Sequence, residues 1–183
     1  MRIILASASP RRKELIKKIF DKVEYMPQNV DEDIEEDNPV ELVKKLAEKK
    51  LNGIDKTYSD ALIISADTIV VFNNKVYGKP KDKQDAVRIL EELNNNTHIV
   101  YTGVCIAYKG VKTIFYEESF VTFKNMTRET IEKYIEDKNP LDKAGAYGIQ
   151  DEDVVLSYKG SYTNIVGLPI EKLELELKNM GVI

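Results

Sequence analysis

The sequence predicts an α/β fold built on a mixed β-sheet, and three observations carry that prediction. The run Ala61-Leu62-Ile63-Ile64-Ser65-Ala66-Asp67-Thr68-Ile69-Val70-Val71-Phe72 is apolar and β-branched over the length of a buried strand. Upstream of it and just beyond it, short apolar runs alternate with segments of helical periodicity, each opened by a capping residue. Further on, apolar runs face each other across Lys109-Gly110 and across Lys159-Gly160-Ser161. Those are hairpin signals, so the sheet is not wholly parallel.

Taken in order, Met1 to Ala6 is a strand broken only by Arg2. Ser9 then caps a helix with Pro10 at its first position, and Leu15, Ile16, Ile19 and Phe20 fall on one face. Val23 to Met26 is a short strand, and Val30 to Asp37 is almost entirely acidic. Asn38-Pro39-Val40-Glu41 opens a second helix, with glutamate placed for a capping box. Val43, Leu46, Ala47 and Leu51 form its buried face, and Gly53 closes it. Lys49 and Lys50 sit near its end, where the helix dipole favours cations. After the long strand, Lys75 to Tyr77 returns as a short one, Gly78-Lys79-Pro80 forms a tight loop, and Asp82 caps a helix through Ala86, Leu90 and Leu93. Ile99–Tyr108 and Val111–Phe123 are expected to form one hairpin. Thr127 caps a helix carrying Ile131, Tyr134 and Ile135, which Asn139-Pro140 stops. The small-residue stretch from Leu141 to Gln150 suits a loop whose backbone approaches a ligand. Val154–Tyr158 and Tyr162–Val166 are expected to form a second hairpin, and Pro169 to open a last helix with Ile170, Leu173 and Leu177 inward.

Composition narrows the function. The 183 residues are 43% apolar and 32% charged, as in a globular domain, and no apolar run reaches the ~20 residues of a membrane span. A single domain over residues 1–183 is expected, without a cleaved leader, since the N-terminus lacks an apolar leader core and cleavage site. One cysteine, Cys105, rules out an internal disulfide and fits a reducing cytoplasm. One histidine, His98, rules out a multi-histidine zinc site, so any metal is a hard cation on oxygen ligands, Mg²⁺ or Mn²⁺. A net charge of −4 argues against a general nucleic-acid binder and leaves room for a local basic pocket.

Two features call for chemistry. Arg11, Arg12 and Lys13 crowd the first turn of a helix, the end at which the dipole disfavours cations. A phosphate held by the same backbone N–H groups, the serine hydroxyls and the guanidinium forks would account for them; solvation or pairing with the nearby acidic segment is the alternative. Asp67 interrupts the most apolar run of the chain, so it is paired, binds metal, or lies where the strand opens into a cleft. Cations on a helix start and on loops, with an acid in a central strand, are the parts of a phosphoryl-transfer site. Neither a P-loop nor a dinucleotide-binding glycine pattern is present.

With these residues in view, the segments ASASPRRKEL, SADTIVV, GKP, HIVYTGV, DKAGAYGIQ and SYTNIVGLP resemble, in order from residue 6 to 169, the signature segments of the Maf-like nucleotide pyrophosphatases. The resemblance implies an elongated mixed sheet with flanking helices and a deep cleft between two lobes. It implies hydrolysis of nucleoside triphosphates to the monophosphate and pyrophosphate with a divalent cation, in the service of nucleotide-pool sanitation. By the same resemblance the general base falls on Asp67, which either takes the proton of the attacking water or orients that water while helping to hold the metal, and the other metal ligand falls on Glu32. Ser7, Arg11, Lys49 and Lys79 hold phosphate, while Lys50 keeps a structural role. Arg12, Thr68 and Gln150 match the subgroup acting on dTTP and UTP, with modified uridine triphosphates as further expected substrates. Homodimers are common in the family. The competing expectation is a nucleotide-binding regulator of cell division without significant turnover.

Overall fold

The computed structural model describes all 183 residues and is organised by one long strand, β3 (Leu62–Phe72). On one side β3 pairs in parallel with β1 (Ile3–Leu5), which pairs in parallel with β2 (Glu24–Tyr25). On the other it pairs antiparallel with β5 (Thr97–Tyr108), followed by β6 (Val111–Phe123) and β7 (Val155–Gly160). The short β4 (Lys75–Tyr77) folds back on the far end of β3. The result is a seven-stranded mixed sheet in the order β2-β1-β3-β5-β6-β7.

Alternation along β3 sorts its side chains between two faces. Ile63, Ile69 and Val71 pack under helix α2 (Pro39–Asn52), with Ala47 and Leu51 at one end and Val43 and Leu46 at the other. On the opposite face Ile64 and Ala66 meet helices α1 (Pro10–Ile16) and α6 (Ile170–Asn179), through Leu15, Ile16, Leu173 and Leu177. Val70 belongs to a separate core with helices α3 (Lys83–Leu93) and α4 (Arg128–Lys138), which supply Ala86, Ile89, Leu90, Ile131 and Ile135. Thr68 lies between these two cores. The sheet is continuous, but here the apolar packing on this face breaks and the edge of β3 is unpaired between β1 and β4, and the gap is a cleft between two lobes.

Helix α2 lies close to the sheet because residue 103 has no side chain. Gly103 faces Asp67 across the ladder, and a Cβ on it would sit 2.7 Å from the carbonyl carbon of Val43. Asn38 caps α2 by accepting from the N–H of Val40 at 2.9 Å and of Glu41 at 3.2 Å. The Glu41 carboxylate bonds Lys44 and makes no reciprocal capping box; the Asn38 N–H donates to Glu36 instead.

Two expectations are corrected. Tyr162–Val166 is not a strand but helix α5, capped by Ser161, whose hydroxyl accepts the Asn164 N–H at 3.1 Å, and closed at Gly167 with φ +123°. Its β-branched and aromatic residues satisfy a strand pattern, but the buried Asn164 side chain is held from inside the sheet, donating to Val100 O and Ser119 Oγ. Helix α1 ends at Ile16 rather than running through Phe20, although Phe20 is buried at the end of the turns that follow. The 141–150 segment is a loop carrying two short 3₁₀ turns, Pro140–Asp142 and Ala144–Ala146. No helix is long and apolar enough to cross a membrane.

Candidate active site

The two faces of β3 bring different chemistry to one cleft of about 640 Å³, a size suited to a small-molecule ligand. On the α2 face, the Asp67 carboxylate meets the ammonium of Lys50. The same ammonium donates to Glu32 Oε1 at 2.8 Å. Asp67 and Lys50 side chains are 11% and 13% exposed, and Glu32 is 60% exposed, so the pair is deep and the third member reaches in from the acidic loop. Burial raises the Glu32 carboxyl, but Lys50, Lys79 and Arg12 outweigh it and leave the acid below its usual range.

On the opposite face, Thr68 stands beside Arg12. The guanidinium donates from Nη2 to Thr68 Oγ1 at 2.9 Å, from Nε to Gly167 O at 2.7 Å and from Nη1 to Ser7 Oγ at 3.5 Å. Burial lowers the Arg12 pKa, opposed by the charge of Asp67. Such a group remains a cation at neutral pH. Arg11 leans across the cleft mouth to Asp142, with Nη1 to Oδ2 at 2.8 Å and Nη2 to the carbonyl at 3.2 Å. Burial raises the Asp142 carboxyl, yet Arg11 and Lys143 prevail and hold it at about 2. Lys79 and Gln150 line the cleft from loops of the second lobe.

The expected residues therefore fall into three groups. Asp67, Arg11, Arg12, Thr68, Glu32, Lys79 and Gln150 line one cleft. Ser7 lies behind that lining, buried, where its hydroxyl also accepts the Ser9 N–H at 3.2 Å. Lys49 does not line the cleft, and the lysine expected to be structural, Lys50, does. The reason is helical phase. Lys50 is four residues from Leu46 and three from Ala47, so it shares their inward face, whereas Lys49 is turned about 100° from it. That signal was present in the spacing of the apolar residues. His98 is no base: its Nε2 is bonded to Tyr147 Oη at 2.8 Å inside the second lobe, and burial lowers its pKa to about 3. Cys105 is buried beneath α2, and burial pushes its thiol up to about 12.

No cluster of three or more histidine, cysteine or carboxylate groups is assembled. Two carboxylates, Asp67 and Glu32, already converge on one cation, the Lys50 ammonium. A hard divalent ion held by one or two carboxylates completes its shell with substrate phosphates and water. The residues fit an ion that binds together with a phosphorylated substrate.

A sequence model of the family described as Maf-like protein matches residues 2–180. The chain belongs to the Maf-like family. Among its relatives, this Maf-like chain is 45% identical to the dTTP/UTP pyrophosphatase of Thermosipho africanus over 185 residues, covering 100% of this chain and 95% of that protein. It is 42% identical to the dTTP/UTP pyrophosphatase of Carboxydothermus hydrogenoformans, covering 99% of this chain and 100% of the other. The protein of the same name from Bacillus anthracis is 41% identical, with 99% and 96% covered. Among solved structures, the Staphylococcus aureus Ham1 protein superposes with a TM-score of 0.58 at 15% identity, over 98% of the Maf-like chain and 100% of its own. That likeness bears on the fold alone, and it agrees with the two-lobed mixed sheet.

Proposed function

We propose that this chain is a nucleoside triphosphate pyrophosphatase that hydrolyses dTTP and UTP, and modified uridine triphosphates, to the monophosphate and pyrophosphate. The observation that carries the proposal is the convergence of the Asp67–Lys50–Glu32 cluster and the cations Arg11, Arg12 and Lys79 on one cleft. Full-length relatives that bear the name dTTP/UTP pyrophosphatase support the choice of substrate.

In this reaction the triphosphate enters between the lobes and water attacks the α-phosphorus. Asp67 accepts the proton of that water. Lys50 turns from the two carboxylates to the phosphate oxygens, and Arg11 exchanges Asp142 for phosphate; both keep a charged partner throughout. Lys79 holds the outer phosphates, which depart as pyrophosphate, and Ser7 fixes the strand-to-helix turn and the Arg12 fork. Glu32 and Asp67 are the groups that would hold a Mg²⁺ or Mn²⁺ ion, whose chemistry is to offset phosphate charge. Arg12, Thr68 and Gln150 present the hydrogen-bonding edge for the base. We place this work in the cytoplasm, in nucleotide-pool sanitation, and expect a homodimer.

The deciding measurement is pyrophosphate release from dTTP and UTP with Mg²⁺ or Mn²⁺. Asp67→Asn is expected to lose nearly all of it while remaining folded. Substantial residual release from the folded variant would remove Asp67 from its role as base. Nucleotide binding without release by the wild-type chain would favour a regulator of division over an enzyme.

A further inference from the structure

Beyond the three specificity positions, a buried residue controls what one of them can offer to a base. Thr102 lies directly opposite Thr68 across the β3–β5 ladder and is fully buried. Its Oγ1 is 3.0 Å from the carbonyl of Asn164 and 2.9 Å from Thr68 Oγ1. A backbone carbonyl only accepts, so the Thr102 proton goes to Asn164. The single proton of the Thr68 hydroxyl then goes to Thr102. One Thr68 lone pair takes the Arg12 N–H at 2.9 Å. What remains to Thr68, at the cleft wall, is one lone pair and no proton.

The opposite polarity, with Thr102 donating to Thr68, turns the Thr68 proton to the cleft and leaves the buried Asn164–Thr102 bond unmade. The polarity from Thr68 through Thr102 to Asn164 makes one hydrogen bond more within the protein, in a buried network where each counts more than in water. Its anchor is rigid. Asn164 sits in α5 with its side chain donating to Val100 O and Ser119 Oγ, and its carbonyl also accepts the Gly167 N–H at 3.0 Å.

We infer that Thr102 is a positioning residue for base choice: it holds Thr68 as a pure acceptor, beside the donors of Arg12, and so selects a pyrimidine that presents a ring N–H next to a carbonyl. Uracil and thymine carry that pattern at N3. Cytosine carries an unprotonated N3, whose lone pair would face the Thr68 lone pair. The inference rests on the pyrimidine nucleotide reading above, and it concerns a residue that touches no substrate.

The test uses the full chain and two non-hydrolysable probes, α,β-imido-UTP and α,β-imido-CTP, with binding measured by calorimetry at one metal concentration. Wild type is expected to prefer the uridine analogue. In Thr102→Val, of the same shape but without the hydroxyl, the Thr68 proton is free for the base, and the preference is expected to shrink at least about tenfold. Thr102→Ser keeps the hydroxyl and is expected to keep the preference within about threefold. An unchanged preference in Thr102→Val, or an equal loss in Thr102→Ser, overturns the inference. Should the valine variant not fold, wild type and N3-methyl-UTP decide: binding as tight as UTP overturns it, and a loss of about tenfold or more supports it. A chain that prefers the uridine analogue yet releases no pyrophosphate from UTP retains this inference and loses the hydrolase reading. A chain that releases pyrophosphate while binding both analogues equally does the reverse.

Discussion

At the scale of single residues, the two adjacent lysines of α2 differ in where they stand. Lys50 is held between Asp67 and Glu32, inside the cleft, while Lys49 lies outside its lining. Removing the ammonium of Lys50 leaves a buried carboxylate without its cation and the incoming phosphates without a partner. Lys50→Met is therefore expected to lower kcat for pyrophosphate release about 10²-fold or more, the scale of losing one preorganised electrostatic contact. Lys49→Met is expected to stay within about twofold of wild type, because the site loses no contact. A steady-state assay of both variants checks the pair, and the reverse order would restore Lys49 to the phosphates. Residue types alone could not rank the two, since both suit a helix C-terminus. The phase of Val43, Leu46, Ala47 and Leu51 does rank them. Asp67 was legible for the opposite reason: a charge inside the most apolar run of the chain needs a partner wherever it lies.

At the scale of elements, capping and periodicity located most helices and strands, and the α5 segment shows where they run out. Tyr162-Thr163-Asn164-Ile165-Val166 has strand propensity, yet Ser161 and Gly167 punctuate it as a short helix. The interactions that decide in favour of the helix, Asn164 to Val100 and Ser119, span 64 and 45 residues of sequence, and no local pattern contains them. The approach of α2 to the sheet is also non-local, although a glycine marks it. Gly103 leaves room for the Val43 carbonyl, and that contact sets the height of Lys50 above Asp67. Gly103→Ala must push α2 outward. It is expected to cost about 1–3 kcal/mol of stability, as overpacking does, and to lower turnover as well, because the helix carries Lys50 with it. Urea unfolding reads the first and pyrophosphate release the second. A variant of wild-type stability would mean that α2 moves freely against the sheet.

At the scale of the whole molecule, the alternation of strands and helices announced a mixed sheet, whereas the two lobes rested on family resemblance. The cleft lies where the apolar packing beside Thr68 splits and the edge of β3 is left unpaired between β1 and β4, which only the assembled sheet reveals. The same assembly buries the one histidine of the chain, with consequences for acid stability. His98 packs edge-on against Phe123 and Tyr147, at ring separations of 4.8 and 5.2 Å, and its Nδ1 has no hydrogen-bond partner. Burial lowers its pKa from 6.5 to about 3. The folded chain therefore declines a proton that the unfolded chain accepts below pH 6.5. The contribution of His98 is complete above that pH and is lost as pH falls toward 3. From pH 7 to pH 5 the loss amounts to about 2 kcal/mol. Asp142 and Glu92, both held at about 2, give up their stabilisation only as the pH falls through the ordinary carboxylate range, so they leave this window clear. Urea unfolding at pH 7 and pH 5 should show the loss in wild type. His98→Gln, which can still bond the Tyr147 hydroxyl, should be less stable at pH 7 and nearly flat between the two. Equal losses in both proteins would place the pH dependence on groups other than His98, and a wild type as flat as the glutamine variant would mean that the imidazole takes its proton in the folded chain.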